Sequence, residues 1–515
     1  MMSDWTEGYV TDMAYTSGYY ADLNPMKIRL GLLNAGIVAP EITASCELGF
    51  GQGVSSNIHA AAQARCRLWG TDFNPSHAGF ARAGAAASGS GAQLFDQSFA
   101  EFCGRSDLPD FDFIALHGVW SWTSAQNRSV IVDFIRRKLK VGGIAYISYN
   151  ALPGGSTFEP VRHLLARYAS TLAAPGTGMQ SRIDSSMAFV DKLIAANPAY
   201  TRLNPQVAER VEAMKSHPTS YLAHEYFNRD WQPMHFADVA EAVAPAKLDY
   251  AGSADLLDLD AFSLTQEQQA LVREIPSLLY RETVRDFIVN RQFRRDCWVK
   301  GARQLNALER DEALRAVRVV LAAPRDAVAL KVPCALGEVN LDPAIYRPIL
   351  DLLQDHAPRS LGELEAALHG AVPFALIQQA VVILVGTNTL GLAQDDAAIA
   401  ASRPSAQKLN RAFFDKARSR TSGVSDIGHL ASPVTGAGIA ASRFEQLFLR
   451  AMAEGEQTPA NWADHVWRCL EGQRESLLKD GKPLAGAREN RAELTRQAVA
   501  FAEQRLPLLR ALQVI

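Results

Sequence analysis

The chain has 515 residues, a formal net charge of −3, and 48% hydrophobic against 21% charged residues. That is the make-up of a globular protein long enough for about two to four domains. So small a net charge excludes bulk electrostatic attraction to nucleic acid or to an anionic membrane surface. The six cysteines (Cys46, Cys66, Cys103, Cys297, Cys334, Cys469) are scattered without a CxxC pair, as expected of reduced, mostly buried thiols in a cytoplasmic protein. The opening "MMSDWTEGYV" carries two acids and no apolar core, so it does not read as a secretion signal. The longest apolar stretch, "FALIQQAVVILVG", is too short to span a bilayer and is interrupted by Gln378 and Gln379.

Strand and helix patterns alternate through the first 150 residues. "ITASCELGF" reads as a strand, followed by the glycines Gly49, Gly51 and Gly53 and a helical "SSNIHAAAQARC". "RLWGTDFNP" is a second strand ending at Asp72, with Pro75 opening the helix "SHAGFARAGAAAS". "AQLFDQS" is a third strand ending near Asp96, and "DFIALHG" a fourth. "RSVIVDFIRRKLKVGG" is an amphipathic helix expected to close at Gly142 and Gly143, and "IAYISYN" is a fifth strand. Continuous apolar strands separated by helices predict a parallel sheet covered on both faces. Right-handed crossovers then gather the loops that follow the strands on one edge, where such folds bind ligands.

What sits in those loops narrows the ligand. A triphosphate loop needs GxxxxGK[ST], and no lysine follows these glycines. A dinucleotide loop needs GxGxxG, but the place of its third glycine is held by Val54 and the pattern is GxGxG. Asp72 lies nineteen residues past Gly53, at the end of the next strand. An acid there suits two ribose hydroxyls, each donating to the carboxylate. Asp96, with Gln97 and Ser98, ends strand three, where a polar side chain can recognise an adenine amino group. Together these suit an adenosine bound without phosphates, and a nicotinamide Rossmann domain remains the alternative.

"ELGFGQG", "GTDFNP", "DQSFAEF" and "LKVGGIAYISYN" resemble, in order and spacing, the motifs of class I S-adenosylmethionine-dependent methyltransferases. The resemblance covers about the first third of the chain. It implies a Rossmann-like doubly wound α/β sheet with S-adenosylmethionine as co-substrate and no metal. It also implies that Glu47, Gly49, Gly51 and Gly53 form the methionine loop and that Asp72 takes the ribose. Phe73 would pack on the adenine, and Asp96 with Gln97 would read its edge.

Methyl transfer requires alignment of a nucleophile with a sulfonium methyl, and alignment can supply about 7–11 kcal/mol. For a lysine acceptor, deprotonation from its usual pKa costs roughly 4.6 kcal/mol at neutral pH, and an aromatic pocket would help by attracting and desolvating the cation. Aromatics stand at the right edge. "LHGVWSW" offers His117, Trp120 and Trp122, "SYNALPGG" offers Tyr149 and Asn150, and "YTSGYYADLNP" offers Tyr15, Tyr19 and Tyr20, able to fold over the cofactor. His117 reads either as a general base or as a satisfied turn histidine, and the tryptophans either as pocket lining or as packing. The strand-four loop lacks the Asn-Pro-Pro-Tyr pattern of amide and adenine N-methyltransferases, which argues against a nucleic-acid base as acceptor.

The expected divisions are a methyltransferase core over 1–155, a helical insertion over 156–220, a regulatory region over 221–325 that could complete the sheet, a winged-helix-like unit over 326–400 and helices over 401–515. The insertion carries "PVRHLLARYASTLA", "SSMAFVDKLIAAN" and "PQVAERVEAMKS". "HEYFNRDWQPMHFADVAEA" is similar to a methyltransferase regulatory domain. Its His224 and Glu225 read more simply as a polar pair at a helix end than as catalytic groups. The stretch from Leu341 to Ala393 resembles a winged helix, yet its recognition-helix position, Phe374 to Val385, has no basic residue. A packing or protein-interaction role is therefore expected, not DNA binding. "RAFFDKARSR" makes the last segment richer in bases, and His465 and Cys469 share a helical face without a further ligand pair.

This order of parts resembles bacterial protein-lysine methyltransferases that modify outer-membrane proteins. It implies a cytoplasmic enzyme with a protein substrate and no membrane span, and leaves a homodimer open. Two alternatives stay open: methylation of a small metabolite or cell-surface glycan intermediate, and a non-catalytic S-adenosylmethionine-binding scaffold or regulator.

Overall fold

The computed structural model describes residues 6, 8–11, 13, 15–173, 176–418, 426–479 and 482–515. Most of the residues on which the signal-peptide reading rests, and the last two of "RAFFDKARSR", lie outside the described residues.

The amino-terminal half is built on a seven-stranded sheet. Its strands are β1 (Ala44–Leu48), β2 (Arg67–Thr71), β3 (Gln93–Phe95), β4 (Phe111–Leu116), β5 (Leu139–Asn150), β6 (Leu248–Ser253) and β7 (Phe293–Lys300), in the order β3-β2-β1-β4-β5-β7-β6. The first five pair in parallel, and β7 runs antiparallel to both β5 and β6. Every residue of β1 and of β4 is buried, because helices cover both faces; this is why those strands read as unbroken apolar runs. The order reverses between β1 and β4, so the glycine loop after β1 lies at the switch point, where the crossovers leave a crevice.

The helices that matter to the site are α1 (Pro25–Asn34), α2 (Val54–Ala62), α3 (Pro75–Ser88), α4 (Phe99–Cys103) and α5 (Ala125–Lys138). α3 starts where Asn74 caps it by accepting from Ser76 N, with Pro75 in the first turn, and ends at a left-handed Gly89. α5 does not close at Gly142 and Gly143 as its sequence suggests. It ends at Lys138, and Leu139 is already extended, buried and paired with Phe111. The glycines fall inside β5, beside the register shift between Phe111 and Phe113; burying Leu139 in the sheet ends the helix before any glycine is needed.

Helices α6 (Glu159–Thr171), α7 (Met179–Ala195), α8 (Ala199–Leu203), α9 (Gln206–Met214) and α10 (Thr219–Tyr226) follow β5, and all but α8 share a core of Phe158, Leu165, Ile183, Val190, Val211 and Leu222. α11 (Phe236–Val243) packs Phe236 and Val239 into the core under β5. Beside it Arg294 of β7 binds Asp286, Asp296 and Glu282, and Tyr149 donates to Asp296 at 2.7 Å. Past β7 come the helices Pro343–Leu352, Leu361–Ala367 and Phe374–Gly386 and a small antiparallel sheet of Arg318–Leu321, Arg359–Ser360 and Leu390–Leu392. Helix Phe374–Gly386 is buried along most of its length, and Gln378 donates to Asn34 of α1. What this helix leaves exposed, Ala375 and Gln379, carries no base for a DNA phosphate. The 22-residue helix Asp396–Ala417 lies against α2 and α3 and heads a carboxy-terminal core that takes in Val54, Ile58 and Ala61 of α2. Every residue of α2 is buried, which explains its run of small side chains. No helix among the described residues is long and apolar enough to cross a membrane.

Candidate active site

A cavity of about 470 Å³ opens at the carboxyl edge of the parallel strands. Glu47 and Gly49 to Gly53 reach it from β1, Asp72 and Phe73 from β2, Gln97 and Ser98 from β3, His117 to Val119 from β4 and Asn150 from β5. Five strand ends thus converge on one space, as the topology requires.

The loop after β1 needs its glycines. Gly49 has φ +78°, and a Cβ there would stand 2.5 Å from Val119 Cγ2; Gly53 has φ +67°, and a Cβ there would stand 2.6 Å from Ala81 Cβ. Any side chain would therefore have both the wrong backbone conformation and a collision. Asp72 holds the loop in place. Its Oδ2 accepts from Gly51 N at 2.9 Å, while Oδ1 accepts from Asn74 N at 3.0 Å and contacts His77 Nδ1 at 3.2 Å. Tyr15 N donates to the other ring nitrogen of His77 at 3.3 Å, so Nδ1 carries the imidazole proton and donates to Asp72. Glu47 accepts from Ser56 Oγ, and burial raises its carboxyl to about 7.

The cavity is roofed by two segments that come together only in the fold. The amino-terminal chain supplies Tyr9, Tyr15 and Tyr20, and α9, α10 and the loop beyond supply Arg210, Tyr221, His224, Glu225, Asn228, Asp230 and Trp231. They are tied together by Val10 N to Asn228 Oδ1 at 2.8 Å, Arg229 N to Gly8 O at 2.9 Å and His224 Nε2 to Met13 O at 2.9 Å. Trp231 donates to Asn150 Oδ1 at 3.2 Å and faces Trp122 at 6.0 Å between ring centres. Four carboxylates, Glu47, Asp72, Glu225 and Asp230, line the cavity against one guanidinium, Arg210. Burial lowers His117 and His224 to about 4, so both are neutral near pH 7. Burial raises Glu47 and Glu225 to about 7, so these two carboxyls are only partly ionised near pH 7, and a cation bound beside them would favour their charged form.

Most residues expected from sequence meet here: Glu47, the three glycines, Asp72, Phe73, Gln97, His117, Asn150, Tyr15, Tyr20 and Trp122. Four do not. Asp96 points outward, half-exposed, and pairs with Arg82 of α3 at 2.5 Å; Gln97, one residue on, turns inward. Tyr19 is directed away from the cavity to His59, His429 and Gly438, because neighbours in an extended chain alternate sides and Tyr20 takes the inner one. Trp120 is 0% exposed in the core under β4, since the 3-10 turn Trp120–Trp122 sends its two tryptophans different ways. Tyr149 is buried on the far face of β5, donating to Asp296, while Tyr146 on the other face meets His117 Nδ1 at 2.8 Å.

His117 has the surroundings of a satisfied turn histidine. It is hydrogen-bonded to Tyr146, lies 4.2 Å from the Tyr20 ring and is kept neutral. Sequence reasoning missed His77, Tyr9, Trp231 and Arg210. Only His77 left a local signal, a position about one helical turn after Asp72 on a helix capped at Asn74. Metal-ligand clusters of three or more His, Cys, Asp or Glu do not occur among the described residues, where His465 instead contacts Arg450 and Glu454.

Comparison with known proteins agrees with this geometry. Residues 218–300 match the family model described as a predicted methyltransferase regulatory domain. In this chain that segment supplies α10, α11, β6 and β7, that is, part of the cavity roof and two strands of the sheet. The uncharacterized protein sll1526 of Synechocystis sp. is 37% identical over 516 residues, 99% of each chain. RP789 of Rickettsia prowazekii is 26% identical over 293 residues, 55% of this chain and 51% of its own. Among solved structures, PKMT2 from Rickettsia typhi in complex with AdoHcy has a TM-score of 0.69 at 16% identity, covering 96% of this chain and 99% of its own. The chain therefore belongs to the family of the Synechocystis protein; it has the fold of PKMT2 and carries a methyltransferase regulatory domain.

Proposed function

We propose that the protein transfers methyl groups from S-adenosylmethionine to a lysine side chain of a surface or outer-membrane protein. One observation carries the methyltransferase part: the glycine loop, Asp72 and Gln97, contributed by three successive strands, line a single cavity. The residues present fit the co-substrate. A Cβ at Gly49 would collide with Val119 and one at Gly53 with Ala81, so only glycine keeps the loop in the conformation that forms the cradle, and the acidic lining suits a ligand with a positive sulfonium and an ammonium group. Gly49, Gly51 and Gly53 would hold the methionine part, Asp72 the ribose, and Gln97 with Phe73 the adenine. When bound, the co-substrate supplies an electrophilic methyl group.

The chain's own residues bind, orient and exclude water. Phe73, Trp122, Trp231 and Phe293 give the lining an apolar part, and Tyr15 lies over the glycine loop, with Gln52 donating to its backbone O at 3.2 Å. An acceptor aligned under this cover gains the advantage of fixed orientation. His117, held neutral by burial and bonded to Tyr146, positions Tyr20 at the reaction edge.

The lysine part is supported by the aromatic and acidic character of the cavity mouth and by the resemblance drawn from the order of the parts. The test is calorimetric titration with S-adenosylhomocysteine, followed by tritiated S-adenosylmethionine with a cell lysate. Label in a polypeptide that hydrolyses to methylated lysine is the expected result. Label confined to small molecules would move the acceptor to a metabolite or glycan, and absence of binding would overturn the methyltransferase reading.

A further inference from the structure

Glu225 lies on α10 next to His224 and lines the cavity together with Tyr9, Tyr15, Tyr20 and Tyr221. Burial holds the protons of all four phenols more firmly, and the Glu225 charge adds to that effect on each. Tyr20 also feels Glu47 and donates its backbone N–H to Ser55 Oγ at 2.8 Å, so it joins this group to the start of α2 and the glycine loop. Burial raises the Glu225 carboxyl to about 7, and Arg210 opposes that only in part. These five side chains come from two distant stretches of sequence that the fold closes over one space.

We propose that Glu225, which lines the cavity together with Tyr9, Tyr15, Tyr20 and Tyr221, is the recognition site for the acceptor's ammonium group, and that the acceptor is a primary alkylamine. This rests on the methyltransferase reading above. An ammonium has three donors on a compact charge, matching one carboxylate and neighbouring phenol oxygens. Ring faces add attraction for the same cation. An alcohol or a neutral nucleobase brings no charge to pair with the carboxylate and fewer donors than an ammonium, so it gains less from this site.

The experiment is calorimetric titration of n-butylammonium, a lysine side-chain mimic, into protein saturated with S-adenosylhomocysteine, with butan-1-ol as the neutral comparator. The wild type is expected to bind the amine and not the alcohol. Glu225→Gln is expected to weaken the amine by roughly 10-fold or more, the weight of one charge-assisted hydrogen bond. Glu225→Asp, which keeps the charge, should fall between the two. Melting curves confirm that the variants fold; if Gln does not, the Asp variant and Tyr221→Phe carry the comparison. Equal amine affinity in wild type and variants, or no amine binding by the wild type, overturns the proposal. So does a loss that appears in S-adenosylhomocysteine affinity instead, which would assign the carboxylate to that ligand's own amino group. Failure of S-adenosylhomocysteine to bind the wild type is a separate result that removes the underlying reading as well.

Discussion

Replacing Asp72 with alanine tests the centre of the site. A carboxylate has about four acceptor positions, and three are used inside the protein, by Gly51 N, Asn74 N and the His77 ring. Oδ1 takes two of these and Oδ2 one, so the remaining position on Oδ2 is available to a ribose hydroxyl. That is one charge-assisted hydrogen bond, not the pair that an acid at this place suggests from sequence. One such bond contributes about 1.5–3 kcal/mol, so Asp72→Ala should weaken S-adenosylhomocysteine by roughly 10- to 150-fold. The assay is isothermal titration, repeated with the 2′,3′-dideoxyribose analogue of the same ligand. If Asp72 binds the ribose, the substitution should cost the natural ligand most of that factor and the dideoxy ligand much less. Unchanged affinity for the natural ligand would refute the ribose role. An equal loss for both ligands would show that Asp72 acts by holding Gly51 and His77 in place.

Three further outcomes follow from the geometry. Gly49→Ala places a Cβ 2.5 Å from Val119 Cγ2 at φ +78°; strain of about 1–3 kcal/mol should lower the melting temperature and weaken S-adenosylhomocysteine, and a variant that melts and binds like the wild type would refute the cradle. Asp96→Ala should leave S-adenosylhomocysteine affinity unchanged because Asp96 faces Arg82 outside the cavity, whereas Gln97→Ala should reduce it; titration of both variants separates these neighbours. Glu47 has its carboxyl raised from its ordinary 4.5 to about 7 by burial. Its contribution to stability is therefore complete below about pH 4.5 and lost as pH rises through about 7, at most about 3 kcal/mol. Glu47→Gln stays neutral, so its melting temperature should fall less between about pH 5 and pH 8 than that of the wild type, and parallel pH profiles would contradict the assignment.

The parts of the site legible in sequence are those whose geometry is local. A strand end, a glycine with positive φ and an acid at the next strand end lie within a few residues of one another, and the parallel sheet carries them to one edge without help from the rest of the chain. Gly49, Gly51, Gly53, Asp72 and Gln97 are of this kind. The errors are errors of parity. Tyr19 and Tyr20, Trp120 and Trp122, Asp96 and Gln97 are near neighbours of similar chemistry. Which member turns inward depends on what covers the other: His59 and His429 for Tyr19, the core under β4 for Trp120, and Arg82 for Asp96. The end of α5 belongs with these, since the demand to pair Leu139 with Phe111 outweighs the glycines that mark a helix stop.

By itself the sequence determined the parallel sheet, its first five strands, the glycine loop and the acid at the end of the next strand, because hydrophobic period and backbone freedom are written residue by residue. Only the tertiary structure decided that β7 enters between β5 and β6, that helix Phe374–Gly386 is buried along most of its length, and that Tyr9, Tyr15 and Tyr20 meet Tyr221, Glu225 and Trp231 over the cavity. Those pairings join residues about two hundred positions apart through contacts such as Val10 with Asn228. Their selection lies in the burial and hydrogen bonding of the whole chain, which no local pattern encodes.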